Sequence, residues 1–151
     1  MHFYPRILAP TIVLTLLLGA APARAALGGN AESVAADQTP LRATRRILQA
    51  SRHTMHELEL STGTKVREYL DQGGKVFAVA WQGPFRPNLR LLLGEHYETF
   101  LAAAGPRLAR GPVNIRLPGL IIHMSGHQRA WYGRAYLADQ LPQGLSADEI
   151  R

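Results

Sequence analysis

The chain has 151 residues, 17 Lys and Arg against 11 Asp and Glu, a formal net charge of +6, and no cysteine. Disulfides, thiolate metal sites and a cysteine nucleophile are therefore excluded. A chain of this length suits one domain with one core.

Arg6 precedes an apolar run from Ile7 to Leu18, and Ala23-Arg24-Ala25 has the small-x-small form of a cleavage site. The run is short for a bilayer span, so residues 1–25 are predicted to be a signal peptide cleaved after Ala25. With no cysteine behind it, a lipid anchor is not expected. No later apolar stretch has bilayer length, so no stable membrane span is expected after cleavage and the protein is placed in the periplasm or outside the cell. Loss of Arg6 and Arg24 still leaves an excess of basic residues, and all but Lys65 and Lys75 are Arg. The planar guanidinium fork suits carboxylates and phosphates, so an unknown protein or an anionic ligand is the expected partner. The exported location weighs against nucleic acid.

Residues 26–52 are predicted as an N-terminal arm or short helices. Asn30 is a possible N-cap for a helix over Glu32 to Gln38. Leu41 to Ala50 reads as a basic helix or ordered arm, with Leu41, Thr44, Ile47 and Leu48 on one face. Residues 53–138 are predicted as a single α+β domain, and residues 139–151 as a polar C-terminal tail.

Met55 to Trp81 reads as three strands. A hairpin loop with an odd residue count, such as Thr62-Gly63-Thr64, sets Leu60 opposite Val66, Leu58 opposite Glu68 and Glu59 opposite Arg67. An even loop would put Glu57 opposite Glu68, which is repulsive. Asp71-Gln72-Gly73-Gly74 is the second loop, with Val79 opposite Val66. One face then collects Leu58, Leu60, Val66, Leu70, Phe77, Val79 and Trp81. His56 and Glu68 are diagonal neighbours and the two polar residues on that face.

Arg86-Pro87 opens a helix with the stripe Leu89, Leu92, Leu93, His96, Tyr97, Phe100, Leu101 and Ala104. Gly94 weakens it by about 1 kcal/mol relative to Ala, and Gly105-Pro106 ends it. Asn114 to Met124 reads as a fourth strand kinked at Pro118-Gly119. Ser125-Gly126 is a turn, and His127 to Leu137 a fifth strand. The predicted fold is α+β: an antiparallel sheet of about five strands with one long helix on one face, in the order β-β-β-α-β-β.

The chemistry-bearing residues are few. A buried carboxylate needs a partner, and His56 beside Glu68 forms either an acid–base pair or a structural contact. His53 and His56 are an odd number apart and face opposite sides of a strand. His123 and His127 face each other across a three-residue loop Met124-Ser125-Gly126, and opposite faces across a two-residue one. Either way a metal lacks its remaining ligands, so neither a metal nor a cofactor is assigned. Ser125 lacks a nucleophile elbow, and no glycine loop fits phosphate. Arg129 and Trp131 on one face, and Tyr132, Arg134 and Tyr136 on the other, are the candidate binding residues, of types enriched at interface centres.

The chain resembles a family of small exported proteobacterial proteins known as a domain of unknown function. The resemblance lies in Leu27-Gly28-Gly29, His56-Glu57-Leu58, Gly63-Thr64, Val66-Arg67-Glu68-Tyr69 and Val76-Phe77-Ala78-Val79-Ala80-Trp81. It continues through Gly83-Pro84, Leu92-Leu93-Gly94, Ser125-Gly126-His127, Arg129-Ala130 and Gly133-Arg134-Ala135-Tyr136-Leu137. Asn88 stands where an Asp is expected after the helix-opening proline. The resemblance implies export and a single domain and brings no activity.

Three functional readings follow. The first is a non-catalytic periplasmic or secreted binding or accessory protein using the Arg and aromatic strands or the basic arm. The second is a small enzyme using His56 and Glu68, or His127. The third is a structural factor of the cell envelope.

Overall fold

The computed structural model describes residues 27–31, 43–109 and 111–151. The expected leader, its cleavage point and the helix expected over Glu32 to Gln38 lie outside the described residues. One antiparallel sheet of seven strands carries the fold, in the spatial order β1-β2-β3-β4-β7-β6-β5. The strands are β1 (Ala43–Gln49), β2 (Thr54–Leu60), β3 (Lys65–Leu70), β4 (Val76–Gly83), β5 (Val113–Leu117), β6 (Leu120–His127) and β7 (Ala130–Leu137). Between β4 and β5 run α1 (Leu89–Leu93) and α2 (Tyr97–Ala104), joined by a 3-10 turn at Gly94–His96. The antiparallel sheet and its helical cover match the sequence expectation. The strand count and order do not: there are seven strands rather than five, and four precede the helices.

Two segments account for the difference. Ala43–Gln49, expected as a helix or arm, is an edge strand on β2. Its apolar residues gather on no buried stripe, since Ile47 is 49% and Leu48 40% exposed. Pairing with β2 supplies its backbone bonds, and Arg46 lies opposite Glu57, a favourable cross-strand charge pair. The other segment is Asn114 to Met124, which folds as the hairpin β5–β6 and not as one kinked strand. Leu117 pairs with Leu120, so Pro118-Gly119 is the whole loop. Proline fixes the first turn residue, and Gly119 takes a left-handed φ of 74° at the second.

The odd loop of the β2–β3 hairpin holds, but it is Ser61-Thr62-Gly63, closed by the Leu60 amide on the Thr64 carbonyl at 2.9 Å. The register therefore differs by two residues from the expected one. Leu58 lies opposite Val66, Glu57 opposite Arg67, and His56 directly opposite Glu68. A slip of two leaves every side chain on its expected face. Glu57 takes the place expected of Glu59 as the partner of Arg67, with Nε to Oε2 at 2.8 Å.

Between β3 and β4 a bulge changes a face assignment. Tyr69 pairs with Ala78 but Leu70 with Val76, so Phe77 is the extra residue. Phe77, expected beneath the helix, packs on the other face with Tyr69, Ala78, Ala80 and Tyr136, while Val76 takes the helix side. Leu58, Leu60, Val66, Leu70, Val79 and Trp81 lie beneath the helices as expected, against Leu92, Leu93 and Phe100. Trp81 lies across Gly133, where any Cβ would collide with the indole.

The helical cover starts on Asn88, whose side chain accepts the Arg90 and Leu91 amides at 3.1 and 3.3 Å. Asn caps a helix about as well as the expected Asp. Gly94, at φ 52°, breaks the run, and Leu101, expected in the buried stripe, is 39% exposed. Residues 27–31 lie along the start of β4: Asn30 bridges Lys75, and the Gly28 amide reaches the Val76 carbonyl at 2.8 Å.

Residues 139–151, expected as a polar tail, cover the second face. Leu145 and Ile150 are buried against Tyr69, Phe77, Ala78, Ala80 and Tyr136. Arginine side chains hold the tail by its carbonyls: Arg52 on Gly144 at 2.8 Å, Arg134 on Ala147 at 2.7 Å and Arg67 on Arg151 at 2.7 Å. Ile150 is fully buried, so Ile150→Ala is expected to cost about 2–4 kcal/mol, read as a lower urea midpoint. A tail that merely rests on the sheet would leave the midpoint unchanged.

Candidate functional site

The tail covers the second face over the β3–β4 side and leaves a groove across β4, β7, β6 and β5. A hollow of about 550 Å³ is bounded by the tail residues Ile150 and Arg151 and lined by Gln82, Asn114, His123 and Arg134. A second hollow, of about 510 Å³, reaches the sheet rim at His127, Arg129 and Trp131. Gln82, Pro112, Ser125 and Tyr132 line both, so the two are continuous. No Asp or Glu lines either hollow among the described residues, whereas Arg129, Arg134 and Arg151 do.

His123 is the best-positioned polar group in the groove. The β5–β6 hairpin sets Asn114 opposite it, and His123 Nδ1 lies 2.8 Å from Asn114 Oδ1. With Oδ1 as acceptor, Nδ1 carries the proton and Nε2 is left as a lone pair. Burial, and after it the Arg134 and Arg116 guanidiniums, hold the imidazole below its ordinary pKa of 6.5. At neutral pH it is an uncharged hydrogen-bonding group.

The expected binding residues divide. The β6–β7 turn is Gln128-Arg129, since His127 pairs with Ala130, and Arg129 sits in it at φ 70°. That conformation costs a non-glycine residue about 1–2 kcal/mol. Trp131 is half-buried on the helix side of the rim, with the Arg86 guanidinium 3.8 Å from its ring centroid. Tyr132 is 56% exposed on the groove side. Arg134 lends its charge to the groove wall while its N–H groups hold the Ala147 and Ile150 carbonyls and, at 3.3 Å, Asp148. Tyr136 is buried in the second core and lies apart from the groove.

The two histidines expected to flank a turn stand instead on one strand, β6, four residues apart and so on one face. His127 is at the rim, its Nδ1 3.1 Å from the Gln128 carbonyl. Among the described residues no group of three or more His, Cys, Asp and Glu is arranged to hold a metal. Asn114 and Gln82 are groove residues not singled out from the sequence, where His123 entered only as one of a histidine pair flanking a turn. Reading Pro118-Gly119 as a hairpin loop would have placed Asn114 opposite His123.

His56 and Glu68 lie on the other face of the sheet, away from this groove. Both are buried, with Glu68 fully enclosed. His56 and His53 line a separate hollow of about 530 Å³ between the β1–β2 and β3–β4 turns. His53 turns to the other side, its ring 5.5 Å from that of Tyr69. Burial, then the Arg45 guanidinium, lower the His56 pKa from 6.5.

A depressed histidine pKa means that the unfolded chain takes up a proton before the folded one does. Stability is therefore full above pH 6.5 and falls as pH drops from there toward the folded pKa. Urea midpoints at about pH 7.5 and 5.5 are expected to differ less in His56→Leu than in the parent chain. An unchanged difference would place the pH dependence elsewhere.

A family model described as a protein of unknown function (DUF2844) matches residues 23–150, and the chain belongs to that family. No curated protein and no solved structure matches it.

Proposed function

We propose that this member of the DUF2844 family is an exported binding protein that takes an anionic ligand in the groove on the second sheet face. The observation that carries the reading is the charge of that groove: the side chains of three arginines line it, with no Asp or Glu among the described lining residues. Anions gain from such a surface both in steering and in bound-state hydrogen bonds. The groove's imidazoles are engaged in positioning contacts: His123 Nδ1 with Asn114 and His127 Nδ1 with the Gln128 carbonyl. That arrangement favours recognition over proton transfer between paired groups.

Export rests on the N-terminal sequence: Arg6, the apolar run to Leu18 and Ala23-Arg24-Ala25. No helix among the described residues is long and apolar enough to cross a membrane. Cleavage after Ala25 gives an N-terminus at Ala26 and a periplasmic or secreted protein.

Titration with citrate, followed by tryptophan emission, tests the reading, because Trp131 lines the groove. A saturable change is expected, weakened by added salt. Arg129→Gln is expected to lower affinity by about 0.5 kcal/mol, the size of an exposed charge contact. No saturable change, or one that Arg129→Gln leaves untouched, would remove the anion reading.

A further inference from the structure

We infer that the anionic ligand is an acidic glycan segment: a short run of sugar rings bearing carboxylate or sulfate groups. The inference rests on the reading of the groove as an anion site and adds the chemistry of the rest of the ligand. Three features of the groove select sugar over the other extended anion an exported protein meets, an acidic peptide.

The first is its floor. Strand β4 is paired with β3 and β7, β7 with β4 and β6, and β6 with β7 and β5. The backbone of these three strands is thus already bonded on both sides, and of the strands that the groove crosses only β5, at the sheet edge, pairs on one side alone. A peptide laid over those three cannot add itself to the sheet through its amides and carbonyls, the mode that gives extended peptides most of their affinity. Its own backbone groups would lose water without a matching partner. A sugar has no such backbone.

The second is the set of polar side chains. Asn114, Gln82 and Ser125 present amides and a hydroxyl, groups that both donate and accept, beside the neutral His123. Vicinal sugar hydroxyls also donate and accept, and they pair with such groups without any ion left over.

The third is the aromatic placement. Tyr132 is 56% exposed at the join of the two hollows, while Trp131, stacked by Arg86 on the helix side, only borders the rim of the outer one. The negative face of an aromatic ring attracts the positively polarised C–H edges of a sugar ring. Arg134 at one end and Arg129 at the other bracket the Tyr132 ring. From Arg134 to Ala130 the strand advances ~14 Å, room for a few linked rings with an acid group reaching either arginine.

The test titrates the protein with an oligogalacturonate, its methyl ester, a sulfated dextran fragment and a poly-L-glutamate of similar length, followed by tryptophan emission. At least one acidic glycan is expected to bind about tenfold more tightly than both the methyl ester and the polyglutamate. Whichever of the two binds identifies the acid group. Tyr132→Ala, at an exposed position, is expected to lower glycan affinity about tenfold and to leave polyglutamate affinity unchanged. Polyglutamate binding equal to both acidic glycans, with no effect of Tyr132→Ala on either, overturns the glycan assignment and leaves the anion groove standing. Failure of all four probes to bind overturns both.

Discussion

Strand β4 is apolar on both of its faces, and the rest of the architecture answers to that. Val76 to Trp81 is buried without interruption. A strand of this kind must be central and must be covered twice. The bulge at Phe77 divides its side chains between two cores, with Val76, Val79 and Trp81 on one and Phe77, Ala78 and Ala80 on the other. The helices supply the first cover. The second is a tail of low apolar content, which explains why arginine hydrogen bonds to its carbonyls accompany Leu145 and Ile150.

Local signals made part of this legible. Alternation and charge in β2 and β3 chose an odd hairpin loop, and that parity alone assigns Leu58, Leu60 and Val66 to the core. Parity does not locate the loop, however. Moving the three-residue turn to Ser61-Thr62-Gly63 changes which pairs face each other without moving any side chain to the other face. The bulge is less visible still. Phe77 and Val76 are both apolar, so nothing in the pattern marks where one residue is extra. The edge strand β1 was hidden for another reason: its apolar residues are not buried, and its conformation comes from pairing with β2.

The candidate site was legible in its residue types and not in its grouping. Tyr132, Arg129 and Trp131, which line the outer hollow, stood out as candidates because aromatic and arginine side chains cluster there. Taking Pro118-Gly119 for a kink concealed a strand and with it the Asn114–His123 contact. The same misreading put the turn at Ser125-Gly126. With the turn at Gln128-Arg129, His123, Ser125 and His127 fall on one face and help to form the groove. His56 and Glu68 were identified as a buried polar pair, and they are directly opposite on β2 and β3, but on the face that the groove does not use.

The groove's position follows from where the second face changes character. Toward β3 and β4 that face carries Tyr69, Phe77, Ala78 and Ala80, which only an apolar cover can satisfy. Toward β5 and β6 it carries Asn114, His123 and Ser125, for which water is a better neighbour. The tail therefore covers the first region and stops at the boundary. Arg134 sits on that boundary and does two things there. Its N–H groups hold the last turn of the tail, and its charge faces the hollow that the tail leaves open. One side chain thus anchors the tail that bounds the groove and joins Arg129 and Arg151 in giving it positive charge, so the fold that finishes the core also contributes to the charge of the groove.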